Sequence, residues 1–390
     1  MSCTAPVPAS PRILFLVTED WYFASHRLAL AVELIKQGWQ VAVGCRFSGT
    51  ENTIRQHGVV AYNLPLRRES VGLGQLFNEV RAVRRFCQTV PHDLLHLVAL
   101  RPVILAGLGR VAAPKKPTIN ALAGLGSLFS GELPSLRLRL LKVAVGRALR
   151  QFLRPPGSFT VFQNHEDLRD FAQNGIIAPE RSFLVRGSGV NVNAWEPTPE
   201  PRAAPPIILF AGRLLKDKGV LELLEASRIL RSRGVNHVLR LAGLPDFCNP
   251  KSLTAAEIEA YRNLPEVEWL GQRTNILATM SEANLVVLPS YREGLPQVLV
   301  EAGVACRAVV TSDVVGCREI IHHLVNGWLV KPRDPDHLAT TLAEALTDAA
   351  LRERMARTHR EIVVREFGIE PVAAQFVRIY RHALQAGANH

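Results

Sequence analysis

The sequence predicts an α/β protein built from two parallel-sheet domains, and three observations carry that reading. From Arg12 onward short apolar runs alternate with helix-length amphipathic stretches, the βαβ pattern of a parallel sheet with right-handed crossovers. The alternation starts afresh at Ile207, just after a segment, 196–206, holding five prolines, the composition of a linker. A chain of 390 residues also exceeds one ordinary core. The expected domains are therefore 1–195 and 207–370, with 196–206 between them and a further helix from 371.

In the first half, Arg12–Val17 reads as a buried strand, 18–25 as a loop, and 26–36 as a helix stopped by Gly38. Gln40–Cys45 and Val59–Leu64 are the next strands, and 71–89 is a helix bearing Arg81, Arg84 and Arg85. Asp93–Val98, Thr118–Ala123, Phe159–Asn164 and Phe183–Val190 are further strands. The loop 18–25 is a candidate site wall, because ligands of such sheets bind at strand carboxyl ends. It has no GxGxxG, so no dinucleotide fingerprint is present. Gly124-Leu-Gly126 after a strand fits close backbone approach to a ligand, or a plain tight turn. His26, His96, Asn120 and Asn164 lie near strand or loop ends. They are candidate acceptor or sugar contacts, and for each lone His a satisfied structural role is the alternative.

In the second half, Ile207–Ala211 is a strand, 212–219 a loop and 220–233 a helix. His237–Gly243, Val267–Gly271, Asn284–Pro289 and Ala308–Ser312 follow as strands, with 325–330 a short edge strand and helices at 335–349 and 350–366.

Charge is uneven. Residues 1–200 contain 23 Lys+Arg against 14 Asp+Glu, which is +9 of the total +11. A basic first half points to a polyanionic partner: an anionic membrane, a diphosphate or nucleic acid. Aromatics are 6% of the chain and do not alternate with the basic residues, so nucleic acid is the least favoured. Residues 134–156 concentrate Arg137, Arg139, Lys142, Arg147 and Arg150, with Arg154, among helically spaced Leu and Val. This is either a solvated basic face or a membrane-surface contact. No run is long enough to span a bilayer and no signal-peptide core opens the chain. The six scattered cysteines lack metal-ligand spacing, so reduced thiols in a cytoplasmic protein are expected.

Two constellations carry chemistry. Arg213 and Lys218 share one loop at a strand's carboxyl end beside Gly212, with Lys216 as an alternate for either; cations there suit a diphosphate. Glu293 and Glu301 flank a helix start at Pro296, with Glu301 expected about two turns in. Free helix N–H groups bind anions, and the carboxylates accept hydroxyl hydrogen bonds. The structural alternatives are a solvated basic loop and a surface Glu. Asp334-Pro-Asp336 formally matches a metal-binding Asp-x-Asp, but Pro335 favours an N-cap.

Taken together, Gly212-Arg213-x4-Lys218-Gly219 and Glu293-Gly-Leu-Pro-x4-Glu301-Ala resemble the retaining family 4 glycosyltransferases. Ser25-His-Arg27, Gly124-Leu-Gly126, Phe162-Gln-Asn164, Asn249-Pro-Lys-Ser252 and Gly316-Cys-Arg-Glu319 are similar to the branch that extends polyprenyl-diphosphate-linked sugars. The resemblance implies a GT-B fold, two Rossmann-like domains facing each other across a cleft, with the last helix crossing back to the first domain. It implies a nucleotide sugar such as a UDP-sugar as co-substrate, a polyprenyl-diphosphate sugar as acceptor, no metal and no other cofactor, at the cytoplasmic face of the plasma membrane. Arg213 and Lys218 would neutralise the leaving diphosphate, Glu293 would bind the sugar with Gly294 and Leu295 N–H groups nearby, and Glu301 would hold the ribose. Ala123 stands where relatives can carry Glu or Thr, and Asn120 is the nearest polar residue where many have His, so no N-terminal base is assigned. The alternatives are a soluble acceptor, an epimerase or hydrolase, and a non-catalytic binding subunit.

Overall fold

The computed structural model of the protein describes residues 10–67, 72–109, 116–122, 136–202, 204–247 and 249–388. The chain forms two compact units: residues up to 189 together with those from 369, and residues 190–368.

In unit 1, β1 (Arg12–Glu19) leads through α1 (Asp20–His26) and α2 (Leu28–Lys36) to β2 (Gln40–Arg46). Then come α3 (Glu51–Gln56), β3 (Val60–Asn63), α4 (Leu73–Thr89), β4 (Leu94–Val98) and α5 (Leu100–Leu108). β5 (Thr118–Leu122), α6 (Leu136–Leu153), β6 (Ser158–Phe162), α7 (His165–Gln173) and β7 (Ser182–Leu184) complete the run. The described strands form a parallel sheet in the order β3-β2-β1-β4-β5-β6-β7. Side chains alternate across a strand, and β1 shows the result. Ile13, Phe15 and Val17 enter a core closed by α2 and the chain's last helix, while Leu14 and Leu16 enter a second core closed by α4, α5 and α6. Both sheet faces are covered, so the strands read as continuous apolar runs.

The expected loop 18–25 is instead the end of β1 plus the short helix α1. Asp20, its first residue, is a buried carboxylate that accepts from the backbone N–H groups of Ser48 and Thr50, each at 2.8 Å. That anchorage ties the turn of α1 to the loop after β2, a contact local propensity does not report.

In unit 2, β8 (Ile207–Ala211), α8 (Val220–Ser232), β9 (Val238–Ala242), α9 (Ala255–Arg262), β10 (Val267–Gly271) and α10 (Ile276–Ser281) come first. β11 (Leu285–Leu288), α11 (Gln297–Val304), β12 (Ala308–Ser312), α12 (Val315–Arg318) and β13 (Trp328–Val330) follow, then α13 (Pro335–Thr347) and α14 (Ala349–Phe367). The parallel sheet runs β10-β9-β8-β11-β12-β13. α15 (Ile369–Ala388) belongs to unit 1, where Val372, Phe376, Tyr380 and Ala383 fill the core beside α2.

The Pro-rich segment lies inside unit 2. Buried Arg307 donates to the carbonyls of Thr198 and Pro199, and buried Arg352 donates to the Glu200 carboxylate at 2.6 Å. The chain passes between units at 189/190 and 368/369. The two passages adjoin: Val190 N–H donates to the Phe367 carbonyl at 3.0 Å.

Candidate functional site

Parallel strands β8 and β11 are neighbours, so the loops leaving their carboxyl ends meet. Gly219 makes that meeting close. It sits at φ +69°, and a Cβ there would lie 2.1 Å from the Pro289 carbonyl oxygen, a position only glycine fills. Tyr291 N–H then donates to the Asp217 carbonyl at 2.9 Å. The result brings Lys218 Nζ within 2.5 Å of Glu293 Oε1, and the same oxygen accepts from the buried Ser290 hydroxyl at 2.6 Å. The two charged side chains are 24% and 10% exposed, so the pair is mostly withdrawn from water yet reachable. On the far side, the 293–294 backbone packs on α12. A Cβ on Gly316 would come within 2.5 Å of the Gly294 carbonyl oxygen.

Arg213, one residue past Gly212 on the same loop, pairs with Asp246 at 2.8 Å and is about half exposed. The loop holding Asp246 is stitched to the cation loop. Leu214 N–H donates to the Leu244 carbonyl and Lys216 N–H to that of Lys251. Lys251 also pairs with Asp217 at 3.0 Å. Lys216, the expected alternate cation, is drawn away to Glu257 of α9 at 2.6 Å. That bond, with the Thr254 N–H, holds the Glu257 carboxyl down at about 2.

α11 begins one residue later than expected. Pro296 is its N-cap, and no side chain caps it, which leaves first-turn N–H groups without a capping acceptor. Glu301 is consequently little more than one turn into α11, closer to the helix start than the sequence suggested. Its carboxyl is half-buried, and desolvation pushes it up to about 7, with a hydrogen bond from Gln297 acting the other way. Leu295 is half-buried and packs on the unit's core. Three further groups frame the site: Tyr291 hydrogen-bonds Glu222, and the Arg333 guanidinium lies 4.6 Å from the Tyr291 ring centre. Sequence reading gave Asp246, Ser290, Glu222 and Arg333 no role. Asp246 was accessible in principle, because it follows the carboxyl end of β9, the neighbour of β8.

The unit 1 candidates do not gather in the same way. His26 stacks on Tyr22 at 4.2 Å, and its Nδ1 meets the Ser25 hydroxyl at 2.6 Å. Burial, then the nearby Arg27 charge, depress its pKa to about 4, so the ring is neutral near pH 7. His96 is a correction. It is fully buried, stacked on Phe15, with Nδ1 2.6 Å from the Tyr380 hydroxyl of α15; it secures the core. Asn120 is also internal, donating to Ser158 Oγ and the Phe159 carbonyl across β5 and β6. Asn164 is 1% exposed and caps α7 by accepting from Asp167 N–H at 2.8 Å. Its polarity answers a helix terminus. Ala123, Gly124 and Gly126 lie outside the described residues, as do the side chains of Arg137 and Arg139. On α6, Leu149 and Leu153 are buried while Arg147 and Arg150 are exposed and Lys142 is half-buried. Asp334 is the N-cap of α13, accepting from His337 N–H at 3.0 Å. Among the described residues, no helix is long and apolar enough to cross a membrane, and no cluster of three or more His, Cys, Asp or Glu is placed to hold a metal.

Comparison with known proteins bears on the fold and the family of each unit. The family described as Glycosyl transferases group 1 matches residues 193–362, and the family described as Glycosyl transferase 4-like matches 12–152. The chain is 29% identical over 274 residues to the N,N'-diacetylbacillosaminyl-diphospho-undecaprenol alpha-1,3-N-acetylgalactosaminyltransferase of Campylobacter jejuni, covering 67% of this chain and 69% of that one. Among solved structures, Anabaena Alr3699/HepE in complex with UDP-glucose superposes with a TM-score of 0.75 at 19% identity, over 95% of this chain and 100% of that one. A sucrose-phosphate synthase from Thermosynechococcus elongatus gives 0.76 at 19% identity, over 95% and 98%. With one family match on each unit, a Glycosyl transferase 4-like first domain and a Glycosyl transferases group 1 second domain, the two parallel-sheet Rossmann-like units have the GT-B fold of these solved structures.

Proposed function

We propose that the protein is a retaining, metal-independent glycosyltransferase using a nucleotide-diphosphate sugar, most simply a UDP-sugar, and a polyprenyl-diphosphate-linked saccharide. It would work at the cytoplasmic face of the membrane. The observation that carries the donor half is the Lys218–Glu293–Ser290 cluster beside Arg213, at the carboxyl ends of adjacent strands and before the uncapped start of α11. Arg213 and Lys218 offer charge to a departing diphosphate, which is how such sites lower the barrier. Glu293 accepts from a sugar hydroxyl, and Glu301 from the ribose. The UDP-glucose complex of the Anabaena neighbour supports the donor class, and the undecaprenyl-linked substrate named for the Campylobacter relative supports the acceptor class. The exposed Arg147 and Arg150 of α6, with Lys142, Arg137 and Arg139 on the same helix, supply cations for an anionic membrane surface.

Purified protein mixed with a panel of nucleotide sugars is expected to release nucleoside diphosphate only when a polyprenyl-diphosphate saccharide is present. Release without acceptor would redirect the reading to hydrolysis or epimerisation. Equal turnover with a lipid-free sugar, together with no salt-sensitive binding to anionic liposomes, would redirect it to a soluble acceptor. Arg213→Ala is expected to lower kcat by roughly 10²–10³; wild-type turnover would remove Arg213 from the site.

A further inference from the structure

Each of the four cations on the two stitched loops of unit 2 is matched by a carboxylate: Arg213 by Asp246, Lys216 by Glu257, Lys218 by Glu293 and Lys251 by Asp217. A diphosphate arriving there must take a cation from an acid that already holds it. The acids differ in what else they hold. Glu293 also accepts from the Ser290 hydroxyl, and Glu257 from the Thr254 N–H and hydroxyl. Arg213 meets Asp246 through one nitrogen, Nη1, at 2.8 Å, and the two side chains are 46% and 16% exposed. The rest of that planar fork of donors stays open to an incoming anion.

The two partners also differ in freedom. Asp246 is fixed through its backbone: its N–H donates to Ser252 Oγ at 3.0 Å, and its carbonyl accepts from Asn249 N–H at 2.7 Å. On either side of it the loop is tied to the cation loop, where the Leu244 carbonyl accepts from Leu214 N–H and the Lys251 carbonyl from Lys216 N–H. The guanidinium rides on a long stem and the carboxylate on a short one attached to this tied loop. When a diphosphate draws on the pair, Arg213 moves and Asp246 stays.

We propose that Asp246 sets the affinity of the donor site for diphosphate by competing for Arg213. In the empty site it occupies the guanidinium. In the loaded site it stands as a negative charge beside the bound diphosphate, which loosens the nucleotide and speeds its departure after transfer. The proposal rests on the donor reading above and adds to it a residue that acts through Arg213 without touching the sugar.

The test measures UDP and uridine binding to the full-length chain by calorimetry, and UDP dissociation by stopped flow. Asp246→Asn keeps the size of the side chain and removes its charge. It should tighten UDP roughly fivefold, the scale of one partly exposed ion pair, mainly through slower dissociation, and leave uridine unchanged. Asp246→Ala should act in the same direction. In turnover the donor KM should fall with no rise in kcat, a split that a merely structural role for Asp246 would not produce. Glu225→Gln makes the same change of charge on α8, at a carboxylate paired with Arg228, and should leave UDP binding unchanged. Unchanged or weaker UDP binding in Asp246→Asn, equal tightening of uridine, or equal tightening by Glu225→Gln would each overturn the proposal. Arg213→Ala separates it from the reading beneath it. That variant should weaken UDP roughly tenfold, the scale of one charge-assisted hydrogen bond. If it does and Asp246→Asn is neutral, the role of Asp246 fails alone; if it does not, the donor reading fails.

Discussion

Glu301 gives the sharpest test of the proposed donor site. Its carboxyl rises from an ordinary 4.5 to about 7 through desolvation on α11. The sign follows from proton binding. A carboxyl whose folded pKa lies above its unfolded one binds more protons when folded, so stability falls as pH rises from 4.5 toward 7, and the cost is complete above 7. At ~1.4 kcal/mol per pKa unit, that cost approaches about 3 kcal/mol, and about 2 kcal/mol is reasonable for a group that keeps some solvent contact. Glu301→Gln keeps the shape and removes the charge. Urea unfolding should therefore find the variant more stable than wild type by about 2 kcal/mol at pH 8, with the difference shrinking toward zero at pH 4. If Glu301 accepts ribose hydroxyls, the nucleotide favours the ionised form. Binding near pH 7 should then release a fraction of a proton, read as a dependence of calorimetric enthalpy on buffer, and Glu301→Gln should abolish it while weakening the nucleotide. A stability difference that is the same at pH 4 and pH 8 would refute the desolvation argument. A buffer-independent enthalpy would refute the ribose contact.

Other outcomes follow from the same geometry. Lys218→Ala leaves Glu293 with only the Ser290 hydroxyl in place of its cation and should cost about 1–3 kcal/mol, between exposed and buried pairs. Adding Glu293→Gln should recover part of that stability but no turnover, and strictly additive unfolding energies would show that the two do not couple. Gly219→Ala should cost more than about 1 kcal/mol and lower kcat, because the left-handed φ and the Pro289 carbonyl both oppose a side chain; a neutral result in both assays would mean the loops do not depend on this contact. Tyr380→Phe should cost about 1–3 kcal/mol by orphaning His96 Nδ1, with kcat unchanged under native conditions. A large fall in kcat at full folding would restore His96 to the functional list.

The fold was legible because buried strands advertise themselves. Leu285–Leu288 is an unbroken apolar run and is at most 1% exposed at every residue. The proximity of the two loops was legible for a related reason: Arg213, Lys218 and Glu293 follow the carboxyl ends of β8 and β11, and a parallel sheet aligns such ends in space. What sequence could not supply were long-range answers to polar residues. Asn120 and His96 look like site residues because polar groups on strands are unusual, yet each meets an internal partner dozens or hundreds of positions away, Ser158 for Asn120 and Tyr380 for His96 Nδ1. Asp20, at the start of the helix that replaces an expected loop, is answered in the same way by the backbone of Ser48. The Pro-rich segment was read as a tether because its own residues are uncommitted, while the two arginines that hold it lie more than a hundred positions downstream.

The adjoining passages at 189/190 and 368/369 bear on the order of synthesis. Residues 190–368 form a continuous stretch whose entry and exit meet at Val190 and Phe367, so unit 2 can close as soon as it has left the ribosome. Unit 1 has no such independence. One face of its sheet waits for α15, which follows unit 2 in the chain, and Phe15, Leu34 and Trp39 stay without that cover through the translation of all of unit 2. A first domain begun before unit 2 and completed after it is the part of this chain most in need of protection while it is being made.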